Sequence, residues 1–327
     1  MNKLLLLITT LLATIPVLAQ QSVNPSAKGW RLDNIDLSFT AGTTGLGFDL
    51  ASPVYHDFRL RLGAAWMPRF SQTMHFDIQV GDEQEDKYDA QGNRRETKFD
   101  RLSSRLEGLT GYHVDQQVDM IGKPTYSNVH LLVDFMPFRN KNWYLTAGIF
   151  YGSSTIAEAI NSVYDAPSLV GVNYYNNLYT KIEEGEPIVE LNRKPIYLDV
   201  EQEEKILAYG RMGIYIGDYV DDNKGQYIMV PDDNCTVSAR ILANRWKPFL
   251  GIGYKGRLIR GDDRYYIGFD CGAMFWGGTP DILTHDGTNL TEDVRNVRGR
   301  VGDYVSLAKA FKVMPVLNLK LTRRISF

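Results

Sequence analysis

The sequence predicts an all-β protein that crosses a membrane as an antiparallel barrel, with eight strands as the preferred count. Three observations lead there. The N-terminus is built as an export signal, several segments place apolar residues at every second position, and the last such segment runs to a terminal aromatic, Phe327.

The export signal comes first in the chain. One cation, Lys3, precedes an apolar stretch from Leu4 to Leu18, and Ala19 supplies the small residue needed before a cut. Cleavage after Ala19 leaves residues 20–327 as the expected mature barrel. The apolar stretch is short for a membrane helix and polar sequence follows it. No cysteine stands directly after the expected cut, so no lipoprotein anchor is expected there.

Bulk composition removes other classes. The chain carries 36 Lys and Arg against 39 Asp and Glu, a formal charge of −3, which gives no support to a nucleic-acid partner. After Ala19 no apolar run approaches the ~18 residues of a spanning helix. A barrel strand shows lipid only every second residue, so its mean hydropathy stays low. A hairpin turning near Arg260 would set Cys271 opposite Phe249. Cys235 then lies roughly 40 Å along the strand direction, so the two cysteines are expected to be free.

The strands follow in order. Ile35, Leu37, Phe39 and Ala41 share one parity, while Leu46, Phe48 and Leu50 share the other. The switch at Gly42-Thr43-Thr44-Gly45 predicts a tight hairpin, with a bulge as the alternative. Leu60, Leu62, Ala64 and Trp66 form the next apolar face, then Val129, Leu131, Val133 and Phe135, then Trp143 to Tyr151. Pro248 to Tyr254 and Ile267 to Phe275 continue the series. Residues 313–327 close it, with apolar residues at Val313, Leu317, Leu319, Leu321, Ile325 and Phe327. Glycines fall mostly on the opposite parity, the expected inner face of a narrow barrel. Aromatics gather toward strand ends, as interface girdles require.

Short turns are expected at Pro53–Asp57, Pro137–Asn142 and Lys255–Arg264, on the periplasmic side. Long segments, at about 76–125, 157–235 and 285–310, are expected as extracellular loops. Within the last, Val294, Val297, Val301, Val305, Ala308 and Phe311 recur near the helical period, and Thr291 and Asp293 suit a first turn. A short helix is therefore expected before the last strand.

Several stretches resemble a family of small outer-membrane β-barrel proteins of Gram-negative bacteria whose function is unsettled. They are Gly42-Thr43-Thr44-Gly45-Leu46-Gly47-Phe48-Asp49, Lys247-Pro248-Phe249-Leu250-Gly251-Ile252-Gly253, Phe269-Asp270-Cys271-Gly272-Ala273-Met274, Gly277-Gly278-Thr279-Pro280 and Pro315-Val316-Leu317-Asn318-Leu319. The resemblance implies the fold and an integral outer-membrane location, with outer-membrane lipid around it. It covers the strands but not the middle of the chain, and it brings no catalytic residue. The terminal Phe327 resembles the strand end read by the barrel assembly machinery. Such proteins often carry an aromatic two residues earlier, where this chain has Ile325.

The candidate site is a set of charges on inward parity: Asp49, Arg59, Arg61, Asp134, Asp270, Lys320 and Arg324. An eight-stranded barrel is about filled by its own side chains. A paired network that plugs the lumen is the plainer reading, and a narrow or gated solute path is the alternative. A membrane hydrolase would need a serine, a histidine base and an orienting acid. Of the five histidines only His130 falls inside a strand, facing the lumen, and no Gly-x-Ser-x-Gly or His-Glu-x-x-His motif occurs. No cofactor or metal is expected. Asp221-Asp222-Asn223 and Asp232-Asp233-Asn234 lack the spacing of a calcium loop and read as solvated charge. Tyr174, Tyr175 and Tyr179, among Asn173, Asn176 and Asn177, form a candidate loop contact patch. Gly217-Asp218-Tyr219-Val220 echoes Gly302-Asp303-Tyr304-Val305, a match too short to establish a repeat. The leading functional expectation is a non-enzymatic anchor displaying loops that bind an unknown surface ligand. A narrow transporter and a lipid-modifying hydrolase follow it.

Overall fold

The computed structural model describes residues 34–82, 85–139, 141–310 and 312–326; the expected export signal, Phe311 and Phe327 lie outside them. Strands β1 (Asn34–Gly42) and β2 (Gly45–Tyr55) form the tight hairpin. Gly45 sits there at φ 94°, where a Cβ would strike the Trp66 carbonyl. β3 (Phe58–Trp66) and β4 (Gln72–Val80) lead to helix α1 (Lys98–Thr110). β5 (Gln117–Pro124), β6 (Ser127–Phe135), β7 (Trp143–Gly152) and β8 (Thr155–Asn161) follow. Then come helix α2 (Ala166–Glu183), the small hairpin β9 (Val189–Leu191) and β10 (Lys194–Ile196), and helix α3 (Val200–Tyr209). β11 (Met212–Tyr219), β12 (Gln226–Met229) and β13 (Ser238–Leu242) precede β14 (Trp246–Arg257) and β15 (Tyr265–Phe275). β16 (Asp281–Thr284), β17 (Val294–Arg295) and helix α4 (Gly299–Ala310) come before β18 (Val313–Ser326).

Eight of these strands close into a barrel in the order β1-β18-β15-β14-β7-β6-β3-β2. The seam pairs Asn34 with Ser326 through to Gly42 with Asn318, so no edge is left open. Leu50, Leu62, Val129, Leu250, Ile267 and Leu319 all point outward and are half or more exposed. A continuous apolar exterior of this kind is stable only against lipid. Trp66, Tyr151 and Trp246 rim one end of the band, and Trp143 packs against Tyr254 and edge-on to Phe269 at the other. From Trp246 to Tyr254 is roughly 26 Å along the strand, which after tilt fits a bilayer core. No described helix is long and apolar enough to cross a membrane; the strands do the crossing.

The long segments are not loops. β4, β5, β8, β13 and β16 pair in that order, which repeats the order of β3, β6, β7, β14 and β15 beneath them. Five barrel strands therefore continue past the rim after breaks of two to five residues and form a second sheet, to which β11, β12 and β17 add. A separate core fills it: Ile78, Val118, Leu169, Val172, Met212 and Leu290 are almost wholly buried. Helix α1 begins at a reciprocal cap between Thr97 and Asp100 and ends at Gly111 in the left-handed region. Its Phe99, Leu102 and Leu106 face this core.

The helix start and the β14–β15 register need correction. The helix before the last strand begins at Gly299, not near Thr291. Val294 and Arg295 instead pair with Tyr219 and Asp218, because the β11 edge takes their main-chain bonds. The two Gly-Asp-Tyr-Val stretches lie in a strand and in a helix, so they are no structural repeat. The β14–β15 turn spans 258–264 rather than starting at Lys255, and Cys271 lies opposite Ile252, not Phe249. Both cysteines are free, Cys271 on the barrel exterior and Cys235 half-buried in the outer domain. Peptide mapping after mild oxidation should show no Cys235–Cys271 link; finding one would overturn the arrangement of β14 and β15.

Candidate functional site

The inward parity of the barrel strands carries the candidate charges into one buried network. Register sets it up: Arg59 pairs across the sheet with Asp134, Asp36 with Arg324, and Gly63 with both Asp49 and His130. Asp134 is fully buried and accepts from Arg59 at 2.7 Å, Arg61 at 3.0 Å and the Thr146 hydroxyl at 2.7 Å. Arg61 also reaches Asp270 at 2.7 Å and Asp49 at 3.6 Å. Lys320 bridges Asp270 at 2.8 Å and Asp49 at 3.7 Å. Asp49 meets His130 at 2.9 Å. All seven predicted charges thus line the lumen, and Arg324 joins through Asp36 at 2.9 Å.

Sequence reasoning missed three members, Asp36, Lys255 and Tyr144, and a separate buried cation, Lys247. Asp36 shares the inward parity of Ser38 and Thr40, a signal present but overshadowed by the apolar face of β1. Lys255, expected in a turn, lies inside β14 and is ion-paired to Asp36. Tyr144 stands over Gly253, where a Cβ would come within 2.2 Å of its ring. Its hydroxyl donates to Asp270 at 2.8 Å, and the Arg59 guanidinium lies 4.9 Å from its ring centre. Lys247 is buried near the opposite rim, bonded to Asn128 and to the Ser153 carbonyl at 3.0 Å.

Above the ionic layers Leu132, Phe150, Phe249, Met274 and Val316 form a second, apolar layer. Two small voids in the lumen each measure about 10 Å³, room for roughly one water. Arg61 and His130, whose Nε and Nδ1 have no partner among the described residues, line that space.

The chain is an integral outer-membrane β-barrel. No protein-family model matches it, and no curated protein matches it. Among solved structures it is similar to CarO2 of Acinetobacter baumannii, at 10% identity and TM-score 0.38, covering 90% of this chain and 100% of that one. It is also similar to CarO of Acinetobacter baumannii, at 12% identity and TM-score 0.36, covering 89% and 97%. A major outer membrane protein from Thermus thermophilus gives 12% identity and TM-score 0.27, covering 89% and 98%.

The outer domain holds a far larger space than the lumen, a cleft of about 420 Å³ beside β4. His75, Asp77 and Gln79 lie along it, with Glu85, Lys98, Tyr215 and Arg298 among the other walls. Arg298 lies over the Tyr215 ring at 4.9 Å. Burial, then the bond and charge of Asp218, raises the Tyr215 phenol above its ordinary pKa, so it remains a neutral hydroxyl near pH 7.

The expected tyrosine patch is not a loop surface. It lies on helix α2, where Tyr175 and Asn176 turn inward. Tyr175 is buried with its hydroxyl on the Gly210 carbonyl at 2.8 Å, and burial raises its phenol pKa. Asn176 clasps both main-chain groups of Met212, and Arg211 stacks on Tyr179 at 5.1 Å. Of the three tyrosines only Tyr174 is half exposed. The two acidic loop clusters close their own turns: Asp221 and Asp232 each accept from the main chain two residues on. No described group of three His, Cys, Asp or Glu is arranged for a metal.

Proposed function

We propose that the protein is a non-enzymatic surface anchor: a plugged barrel that holds a folded binding domain on the outside of the cell. The observation that carries this reading is the contrast between the two interiors. The lumen leaves about 10 Å³ per void between an ionic and an apolar layer, while the outer domain keeps an open cleft of about 420 Å³. Continuity of five strands through the rim supports it, because a rigid wall presents the cleft at a fixed height. Four of the five histidines have described ring partners, carboxylates at His75, His113 and His130 and main-chain groups at His285.

Single-channel recording in a planar bilayer tests the plug. Purified protein should insert without conductance above background. Stable steps would replace the anchor reading with that of a narrow transporter.

A further inference from the structure

The outer sheet forks. Met212–Ile214 of β11 pair with Ile78–Val80 of β4, and there the pairing stops. Beyond it the β11 edge is taken by another segment: Ile216 accepts from the Arg298 amide at 3.0 Å, and Asp218 and Tyr219 pair with Arg295 and Val294. β4 is thereby left without a strand on that side from Gln72 to Asp77, among the described residues.

The direction of its main-chain groups follows from alternation. The Ile78 amide donates to Gln116, so even-numbered groups of β4 face β5. The Gly81 amide donates to Arg211, so odd-numbered groups face the fork. The amides and carbonyls of His75 and Asp77 therefore point along the cleft edge with no ladder partner.

Charge selects what fits. The acidic side chains of the lining are engaged: Asp77 meets Lys87 at 3.7 Å, and Glu85 accepts from the Lys98 amide at 2.5 Å. No carboxylate of the described residues lies within ion-pair distance of the Lys98 or Arg298 side chains; Arg298 is exposed over the Tyr215 ring, with the Asp218 carboxylate acting on it only through space. An unpaired strand edge beside two cations with no ion-pair partner within ~4 Å among the described residues matches an extended chain with a regular amide backbone and negative side chains.

We infer that the cleft binds an acidic polypeptide segment in extended form, which adds to β4 as a strand along His75–Asp77, on the side of Arg298 and Gly299, with Lys98 and Arg298 on its carboxylates. This rests on the surface-anchor reading for the cleft being the binding site. A neutral glycan in the same cleft is the competing occupant.

The test uses the full-length protein in detergent and a fluorescent hexapeptide alternating valine and glutamate. Anisotropy should show saturable binding that weakens with salt. Methylating alternate peptide nitrogens, or Arg298→Gln, should each weaken it roughly tenfold or more, the size of a lost charge-assisted or ladder bond set. Arg298→Lys should restore part of the loss. Hydrogen exchange should show the His75 and Asp77 amides slowed by the peptide. Equal binding of the methylated peptide, no binding at all, or displacement by a neutral oligosaccharide would overturn the inference. The conductance result stands apart from all of these, so the anchor reading can survive its failure.

Discussion

Asp134→Ala should lower stability by about 3–5 kcal/mol, the cost of breaking a buried ion pair from one side. The carboxylate is fully buried and holds two guanidiniums and a hydroxyl, so its removal strips Arg59 of its closest acid and Arg61 of one of three. Asp36 stands 3.6 Å from Arg59, and Asp270 stands 2.7 Å from Arg61, which places the effect toward the lower end of that range. Asp134→Asn keeps the shape and should lose less. Asp232→Ala opens only a loop turn and should cost about 1 kcal/mol. Unfolding midpoints in detergent with guanidinium give the comparison. Equal losses for Asp134 and Asp232 would mean that the lumen is wet enough to hydrate Arg59 and Arg61, and the plugged-anchor reading would fail with it.

The barrel was legible because period-two patterning is local. A strand that shows lipid on one face and the lumen on the other must alternate, and all eight barrel strands do so. The ion network was partly legible for the same reason: Asp134 and Arg59 need only parity and a turn position to be placed together. Lys255 was lost because a strand end is set by tertiary pairing. Its neighbours Gly256 and Arg257 look like turn sequence, yet they pair with Ile267 and Tyr266.

The outer domain was not legible as a domain. β13 and β16 are five and four residues long, and each is bonded to neighbours distant in the chain. Short strands of this kind carry too few residues to show a period. Tyr175 and Asn176 looked like contact residues because composition alone was read. On a helix their spacing turns them toward Gly210 and Met212, which no local pattern reveals. The cleft depends on where β11 leaves β4, and that is a property of three segments together.

Tyr175→Ala tests whether barrel and outer domain are separate cooperative units. The side chain is buried in the outer core beside Leu169 and Val172, and no residue of that core belongs to the apolar layer in the lumen. Truncating a large buried aromatic costs about 3–5 kcal/mol, and here it also leaves the Gly210 carbonyl without its donor. That is a large share of the stability of a domain this size. The outer segments should become open to protease, with early cuts in 166–209, and peptide binding at the cleft should be lost. The barrel should persist, because its closure rests on the β1–β18 seam and the lumenal ion pairs, which Tyr175 does not touch. Heat-modifiable migration on gels would report the surviving barrel. Loss of that migration together with the outer domain would instead show that the five continuous strands couple the two layers into one folding unit.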